Sequence, residues 1–158
     1  MIKWLSKLDV SMLKGGRRAE LNEEFSVRVG KVSAFVDEVV TVPKGFVTDF
    51  ASIPRVVRSF IPQLGRYSWA AVVHDYLYSE GDGKRKDADL LFLALMASSG
   101  VPWWKRRLIY RAVRLGGWVA WRRNRKRREK READSQANRI VRASMETEKK
   151  FAPDKMSD

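Results

Sequence analysis

The sequence predicts an α+β fold: a small N-terminal antiparallel sheet, then a helical core and a basic C-terminal helical extension. Three observations predict it. Apolar residues recur at every second position in the first third of the chain, and with helical spacing from about residue 67 onward. Beyond Arg122 large apolar residues become sparse and charge takes over. The 158 residues, 44% of them apolar, are enough to bury one core. The predicted organisation is a single α+β domain over 1–122 and a basic, polar extension over 123–158, partly disordered outside an assembly.

In chain order, Phe25, Val27 and Val29 share one strand face, and Val36, Glu38, Val40 and Val42 share another. Breaks are expected at Gly30-Lys31 and at Pro43-Lys44-Gly45, with Phe46–Thr48 continuing the sheet. Ser52-Ile53-Pro54 starts a short helix that Pro62 and Gly65 interrupt. A second helix covers about residues 67–79 and stops at Gly81-Asp82-Gly83. A third runs from about Asp87, its expected N-cap, to Ser99, and Gly100 and Pro102 end it. A fourth begins at Trp103, is interrupted or bent at Gly116-Gly117, and fades beyond Arg122.

Composition narrows the function. No cysteine is present, which excludes disulfides and thiolate metal sites. With a single histidine, His74, a zinc site would be mostly carboxylate, which suits zinc poorly, whereas calcium or magnesium remains compatible. The net charge of +13 predicts attraction to polyanions: nucleic acid, anionic lipid or an acidic protein. The N-terminal MIKWLSKLDV is too short in apolar residues for a signal peptide, and no run of about 20 apolar residues is available to span a membrane.

The histidine lies in Trp69-Ala-Ala-Val-Val-His-Asp-Tyr-Leu-Tyr78. On a helical wheel Trp69, Val72, Val73, Tyr76 and Leu77 form the apolar stripe that should face the core. His74, Asp75 and Tyr78 fall on the other side, facing either water or a closely approaching second element. Their i,i+3 and i,i+4 spacings let the three side chains converge. The next helix, Leu90–Met96, is apolar all round, and Asp89 shares its stripe with Phe92, Leu93 and Met96. Buried there, Asp89 needs a partner, and His74 can donate to it and fix its own tautomer. In the exposed first turn Asp89 would instead favour the helix dipole. Both readings stay open, as do two for Asp49: an Asx-turn at a strand-to-helix junction, or a further carboxylate near Asp75.

One histidine excludes a multi-histidine metal phosphohydrolase. There is no G-x-S-x-G elbow, Walker loop or G-x-G-x-x-G. A chemistry that does fit is a histidine base activating water, oriented by one aspartate, beside a second aspartate holding a calcium ion that polarises a carbonyl.

His74-Asp75-x-x-Tyr78 followed by Asp89-x-x-Phe92 resembles the active-site pattern of phospholipase A2, especially disulfide-free viral enzymes. That resemblance implies His74 as base, Asp89 as its partner, Tyr78 as a supporting donor and Asp75 as a calcium ligand. Separately from it, Asp49 is a candidate second metal ligand if it lies near Asp75. The chain departs from the pattern in lacking the glycine-rich calcium loop upstream. A broader resemblance rests on Val42-Pro-Lys-Gly-Phe-Val-Thr-Asp-Phe-Ala-Ser-Ile-Pro-Arg55, Gly65-Arg-Tyr67, Ala70–Tyr78, Ala88-Asp89-x-x-Phe92 and Gly100-Val-Pro-x-Trp104. Over roughly 20–117 the chain is similar to a family of small tailed-phage and prophage proteins. This implies a phage origin and a constellation of Asp49, Ser52, Arg55, His74, Asp75 and Asp89, but no reaction; with a phage origin, synthesis in the host cytoplasm is expected, and the virion is one candidate location.

The C-terminal third mixes indoles with arginines: Trp103, Trp104, Arg106, Arg107, Arg111, Arg114, Arg122, Arg123 and Arg125 are the candidate binding residues. Trp104, Leu108, Val113 and Leu115 can alternatively dock on the core. An anionic bilayer, nucleic acid or another phage protein would each suit the basic residues. Two functions follow. One is a phage-encoded, virion-associated or assembly component that binds a polyanionic or protein partner through its basic end. The other is a calcium-dependent hydrolase resembling phospholipase A2, acting at a membrane surface with His74 as general base.

Overall fold

A computed structural model of the protein describes residues 1–16, 18–48 and 67–151. Their elements are strands β1 (Ile2–Trp4), β2 (Val10–Met12), β3 (Ala19–Leu21), β4 (Phe25–Val32), β5 (Phe35–Val42) and β6 (Val47–Thr48), then helices α1 (Ser68–Glu80), α2 (Arg85–Ser98) and α3 (Trp103–Phe151). The fold is α+β, as the change of period predicts. The chain divides into two compact units, Met1–Arg125 and Lys126–Asp158.

In the first unit the strands form two three-stranded antiparallel sheets, ordered β1-β4-β5 and β2-β3-β6. The long hairpin β4–β5 pairs Phe25 with Val42 and Val27 with Val40. Phe25, Val27 and Val29 are fully buried, as their alternation requires. Three expectations change. β4 runs through Gly30-Lys31 and turns only after Val32, with Ser33 in the left-handed region at φ 52°. Asp37, at φ 51°, leaves extended geometry within β5, and the expected face divides there: Val40 and Val42 are buried while Val36 is exposed. Phe46–Thr48 does continue as a strand, but in the second sheet against β3, because Gly45 at φ 79° redirects the chain. The strands β1, β2 and β3 are too short to carry a periodic signal.

Helix α1 joins the sheets to the other helices. Trp69 packs edge-on against Trp4 and Phe25, at centroid distances of 5.4 and 5.6 Å. The helix ends in a left-handed Gly81 whose N–H donates to the Leu77 carbonyl. Helix α1 is not buried along the single stripe that its wheel predicts. Val72 and Val73 are buried, but so are Ala70, Ala71, His74 and Tyr78, whereas Trp69, Tyr76 and Leu77 are only partly covered. Small alanines let neighbouring elements close on both sides of α1, so burial follows two faces rather than one.

The start of α2 also differs. Its N-cap is Lys84, with no side-chain cap, and Asp87 lies within the first turn, accepting a hydrogen bond from Ser33 Oγ at 2.6 Å. Helix α3 continues through Gly116-Gly117, so the glycines do not interrupt it, and the helix that composition predicts to fade beyond Arg122 runs to Phe151. Ile109, Val113 and Trp121 face the core. Trp104, Leu108 and Leu115 do not dock there; all three are exposed, because they lie on the opposite side of α3 from Val113. The helical part of the second unit is exposed along 129–147 and carries an Arg128–Glu132 ion pair at 2.8 Å. The predicted helix start at Ser52-Ile53-Pro54 lies outside the described residues.

Candidate functional site

The core of the first unit encloses a polar cluster centred on Asp89, whose side chain is fully buried. Its position on the helix places it there: Ala88, Leu91, Phe92, Leu95 and Met96 turn the inner side of α2 toward the core, and Asp89 lies on that side. A carboxylate moved out of water costs several kcal/mol unless its lone pairs are taken up. Here both oxygens are engaged. Oδ1 lies 3.0 Å from His74 Nε2 and accepts from the Tyr78 hydroxyl at 2.7 Å. Oδ2 accepts from Arg114 Nη1 at 2.8 Å, with Arg85 Nη1 at 3.9 Å.

Each partner comes from a different constraint. His74 and Tyr78 are one turn apart on α1 and so reach the same oxygen. Arg85 is one turn before Asp89 on α2, and its guanidinium also donates to the carbonyls of Val113 and Arg114, tying α2 to α3. Arg114 reaches in from α3. Gly117 lets that helix approach, since a Cβ there would lie 2.5 Å from the Tyr78 hydroxyl oxygen. Trp121 packs edge-on against Tyr78 at 5.1 Å, and Asn124 Nδ2 donates to the Tyr78 carbonyl at 3.0 Å.

Electrostatics fixes the proton positions. Burial pushes the Asp89 carboxyl up, but hydrogen bonds from His74, Tyr78 and Arg114 outweigh it and hold the carboxyl below the usual aspartate range. Burial, and then the hydrogen bond to Asp89, push the Tyr78 phenol well up, so it remains a donor. The bond to Asp89 likewise raises Arg114. An ionised Asp89 is acceptor-only, so the proton shared with His74 belongs to Nε2. In the neutral ring the lone pair then lies on Nδ1. That atom is buried and has no hydrogen-bond partner among the described residues. The ring stacks on Phe92 at 4.5 Å and meets a tilted Tyr78 ring at 4.2 Å, which fixes its plane. The arrangement is that of an imidazole held in one orientation by Asp89.

Of the sequence-predicted residues, the structure brings together His74, Tyr78 and Asp89, and resolves Asp89 in favour of orienting the histidine. Asp75 points elsewhere: its Oδ2 accepts from Thr48 Oγ1 at 2.6 Å, joining α1 to β6. Asp49, Ser52 and Arg55 lie outside the described residues. Among the described residues no group of three or more His, Asp or Glu side chains is placed to hold a metal ion. Asp89 cannot serve as a ligand, since its oxygens are saturated by donors and two guanidiniums stand beside it. Calcium therefore has no assembled shell in the described part of the site.

Arg114, expected to meet an external polyanion, instead neutralises Asp89. Trp103, Trp104, Arg107, Arg111, Arg122, Arg123 and Arg125 are exposed, and Arg106 is half-buried. Sequence reasoning missed Arg85 and Gly117. The i,i+4 spacing of Arg85 and Asp89 was a legible signal; the use of Gly117 against Tyr78 had none.

An "Uncharacterized protein y4jT" from Sinorhizobium fredii (strain NBRC 101917 / NGR234) is 39% identical over 74 residues, covering 46% of this chain and 22% of that protein. The chain thus spans about a fifth of the length of the curated relative it matches. No solved structure matches it. A family model described as "Protein of unknown function (DUF1353)" matches residues 20–113, a span that includes His74, Tyr78, Arg85 and Asp89 and stops one residue before Arg114. The chain belongs to that DUF1353 family.

Proposed function

We propose that the protein is a hydrolase in which His74 acts as general base on a carbonyl substrate, with phospholipid esters the first class to test. One observation carries the reading. A fully buried, ionised Asp89 engages His74 Nε2 and leaves Nδ1 buried without a partner among the described residues. Nδ1 would take a proton from water as that oxygen attacks the carbonyl, and Asp89 would stabilise the imidazolium formed. Tyr78 and Arg114 act through Asp89, holding its carboxylate in place. No step is assigned to calcium.

The test is hydrolysis of phospholipid vesicles and of a soluble aryl ester by the wild type and His74→Gln, both checked for native near-ultraviolet dichroism. Loss of a positioned base costs on the order of 100-fold or more in rate. Absence of wild-type turnover on either substrate overturns the proposal, as does full turnover by His74→Gln. Chelation by EDTA reports separately on a metal.

A second reading is favoured by the basic run Arg122–Arg131 of α3, where eight of ten residues are Lys or Arg and Glu129 is the one acid. We propose that this segment binds a polyanionic or protein partner, as an assembly or virion-associated component of phage origin would. Stoichiometric copies in purified particles would support it. Partner binding that does not weaken with added salt would refute its electrostatic basis.

A further inference from the structure

The structure assigns a membrane-docking surface to the outward face of α3 between Trp104 and Arg122, and we propose that its occupant is an anionic lipid surface. At 100° per residue Trp104, Leu108, Leu115, Trp118 and Val119 fall on one side of the helix, opposite the buried Val113. Every one of them is exposed, Leu115 by 80%. Arg107, Arg111 and Arg122 are exposed on the same side. The face is about 27 Å long at 1.5 Å per residue.

An uncovered stripe of this kind marks an interaction site rather than an ordinary surface. Its charge identifies the partner. No acidic residue occurs anywhere between Asp89 and Glu129, so the stripe carries positive charge alone. Trp118 lies beneath the Arg122 guanidinium, whose carbon is 5.8 Å from the ring centroid, and Lys105 lies 5.3 Å from the Trp104 ring. Indoles paired with cations suit the headgroup level of a bilayer, where a ring meets both apolar and charged groups. Arg111 lies within the stripe, and its flexible stem can pack among acyl chains while the guanidinium reaches phosphate.

A nucleic acid would satisfy the arginines but offer no apolar partner to Leu108, Leu115 or Val119. The anionic headgroup layer offers both, phosphate above and hydrocarbon below. No helix among the described residues is long and apolar enough to cross a membrane, so the mode is interfacial. This surface stands apart from the His74 site and does not depend on hydrolysis.

The test uses the full chain, with phosphatidylcholine vesicles that contain or lack phosphatidylglycerol. Flotation should recover the protein only with the anionic vesicles, and lipids brominated on the acyl chain should quench tryptophan fluorescence. A double variant, Leu115→Glu with Trp118→Glu, changes two exposed residues and should keep the urea midpoint. It should lose at least about tenfold in vesicle affinity, since burial of a single large apolar side chain exceeds that factor. Failure of the wild type to bind anionic vesicles overturns the proposal. So does unchanged binding by the double variant, which would move the contact elsewhere. Duplex DNA binding that falls by the same factor in the double variant would assign the stripe to nucleic acid instead. Because the readout is binding, inactivity of the His74 centre leaves it unaffected.

Discussion

Asp89→Asn is the most informative perturbation of the polar cluster. The amide keeps the shape of the carboxylate but removes its charge and converts one acceptor oxygen into a donor. With Oδ1 retained toward His74 and Tyr78, the new NH2 group faces Arg114 Nη1, which now lies 2.8 Å from the replaced atom. Breaking a buried ion pair by removing one partner costs about 3–5 kcal/mol. The Arg114 side chain is 32% exposed, so part of its stranded charge reaches water, and we expect a loss nearer about 3 kcal/mol. Arg85, only 19% exposed and 3.9 Å from Oδ2, adds to the penalty rather than relieving it.

Urea unfolding of wild type and variant reads this directly, with a lower midpoint at unchanged slope. Arg114→Met provides the cross-check. It should cost much less in the Asp89→Asn background than in the wild type, with a coupling of at least about 1.5 kcal/mol. The acid limb gives the sign. A carboxyl held below its unfolded value of about 3.9 contributes stability at higher pH and loses it as pH falls through the lower native value. The difference between wild type and variant should therefore be constant above about pH 5 and shrink below about pH 4. A loss under about 1 kcal/mol, within the range of one ordinary hydrogen bond, would refute the charged cluster. A difference that grows on acidification would refute it equally.

Three further outcomes follow from the same geometry. Gly117→Ala should destabilise by about 1–3 kcal/mol, because the added Cβ meets a Tyr78 ring that is buried and tied to Asp89 and cannot withdraw. Gly116→Ala, with nothing within 4 Å of the added Cβ, should stabilise by about 0.5–1 kcal/mol, and urea midpoints moving in the same direction would contradict the pair. Tyr78→Phe, which removes one donor to Asp89 at nearly constant volume, should cost about 1–1.5 kcal/mol by the same assay, and no change would mean that the hydroxyl bond is not formed.

The legible parts of the molecule are those where period and chemistry coincide. The alternation of Phe25, Val27 and Val29 places them inside, and the punctuation at Gly81, Gly100 and Pro102 bounds the helices to within two residues. Asp89 was legible as a question: on the apolar side of its helix a carboxylate must find partners, and His74 was the available one. What a wheel cannot show is how many neighbours a helix has. Single-stripe reasoning assigned His74 and Tyr78 to the less apolar side of α1, and a polar side chain can be buried wherever a second helix supplies its partner. The same limitation applies to Trp104, Leu108 and Leu115. Hydrophobicity predicts burial only where something covers the face, and on α3 the covered side is the one bearing Ile109, Val113 and Trp121.

The composition of the Asp89 cluster bears on whether it is an anchor or a working site. An anchor is complete when every buried polar atom has a partner, because each orphan costs about 1–3 kcal/mol. Asp89, Tyr78 and Arg85 meet that standard through named bonds. His74 does not: its Nδ1 is left over among the described residues, while its Nε2 is held by the most thoroughly engaged carboxylate of the cluster. If fastening α1 to α2 were the whole purpose, Tyr78 alone would reach Asp89, and a leucine or methionine in place of His74 would fill the space between Phe92 and Tyr78 without an orphaned nitrogen. His74→Leu separates the two roles. As an anchor, the histidine should give way to leucine with a loss of no more than about 1.5–3 kcal/mol, the value of one hydrogen bond to a charged partner. As a base, it should give way with comparable stability and complete loss of turnover. Retained turnover in a stable His74→Leu protein would reduce the cluster to a fastening.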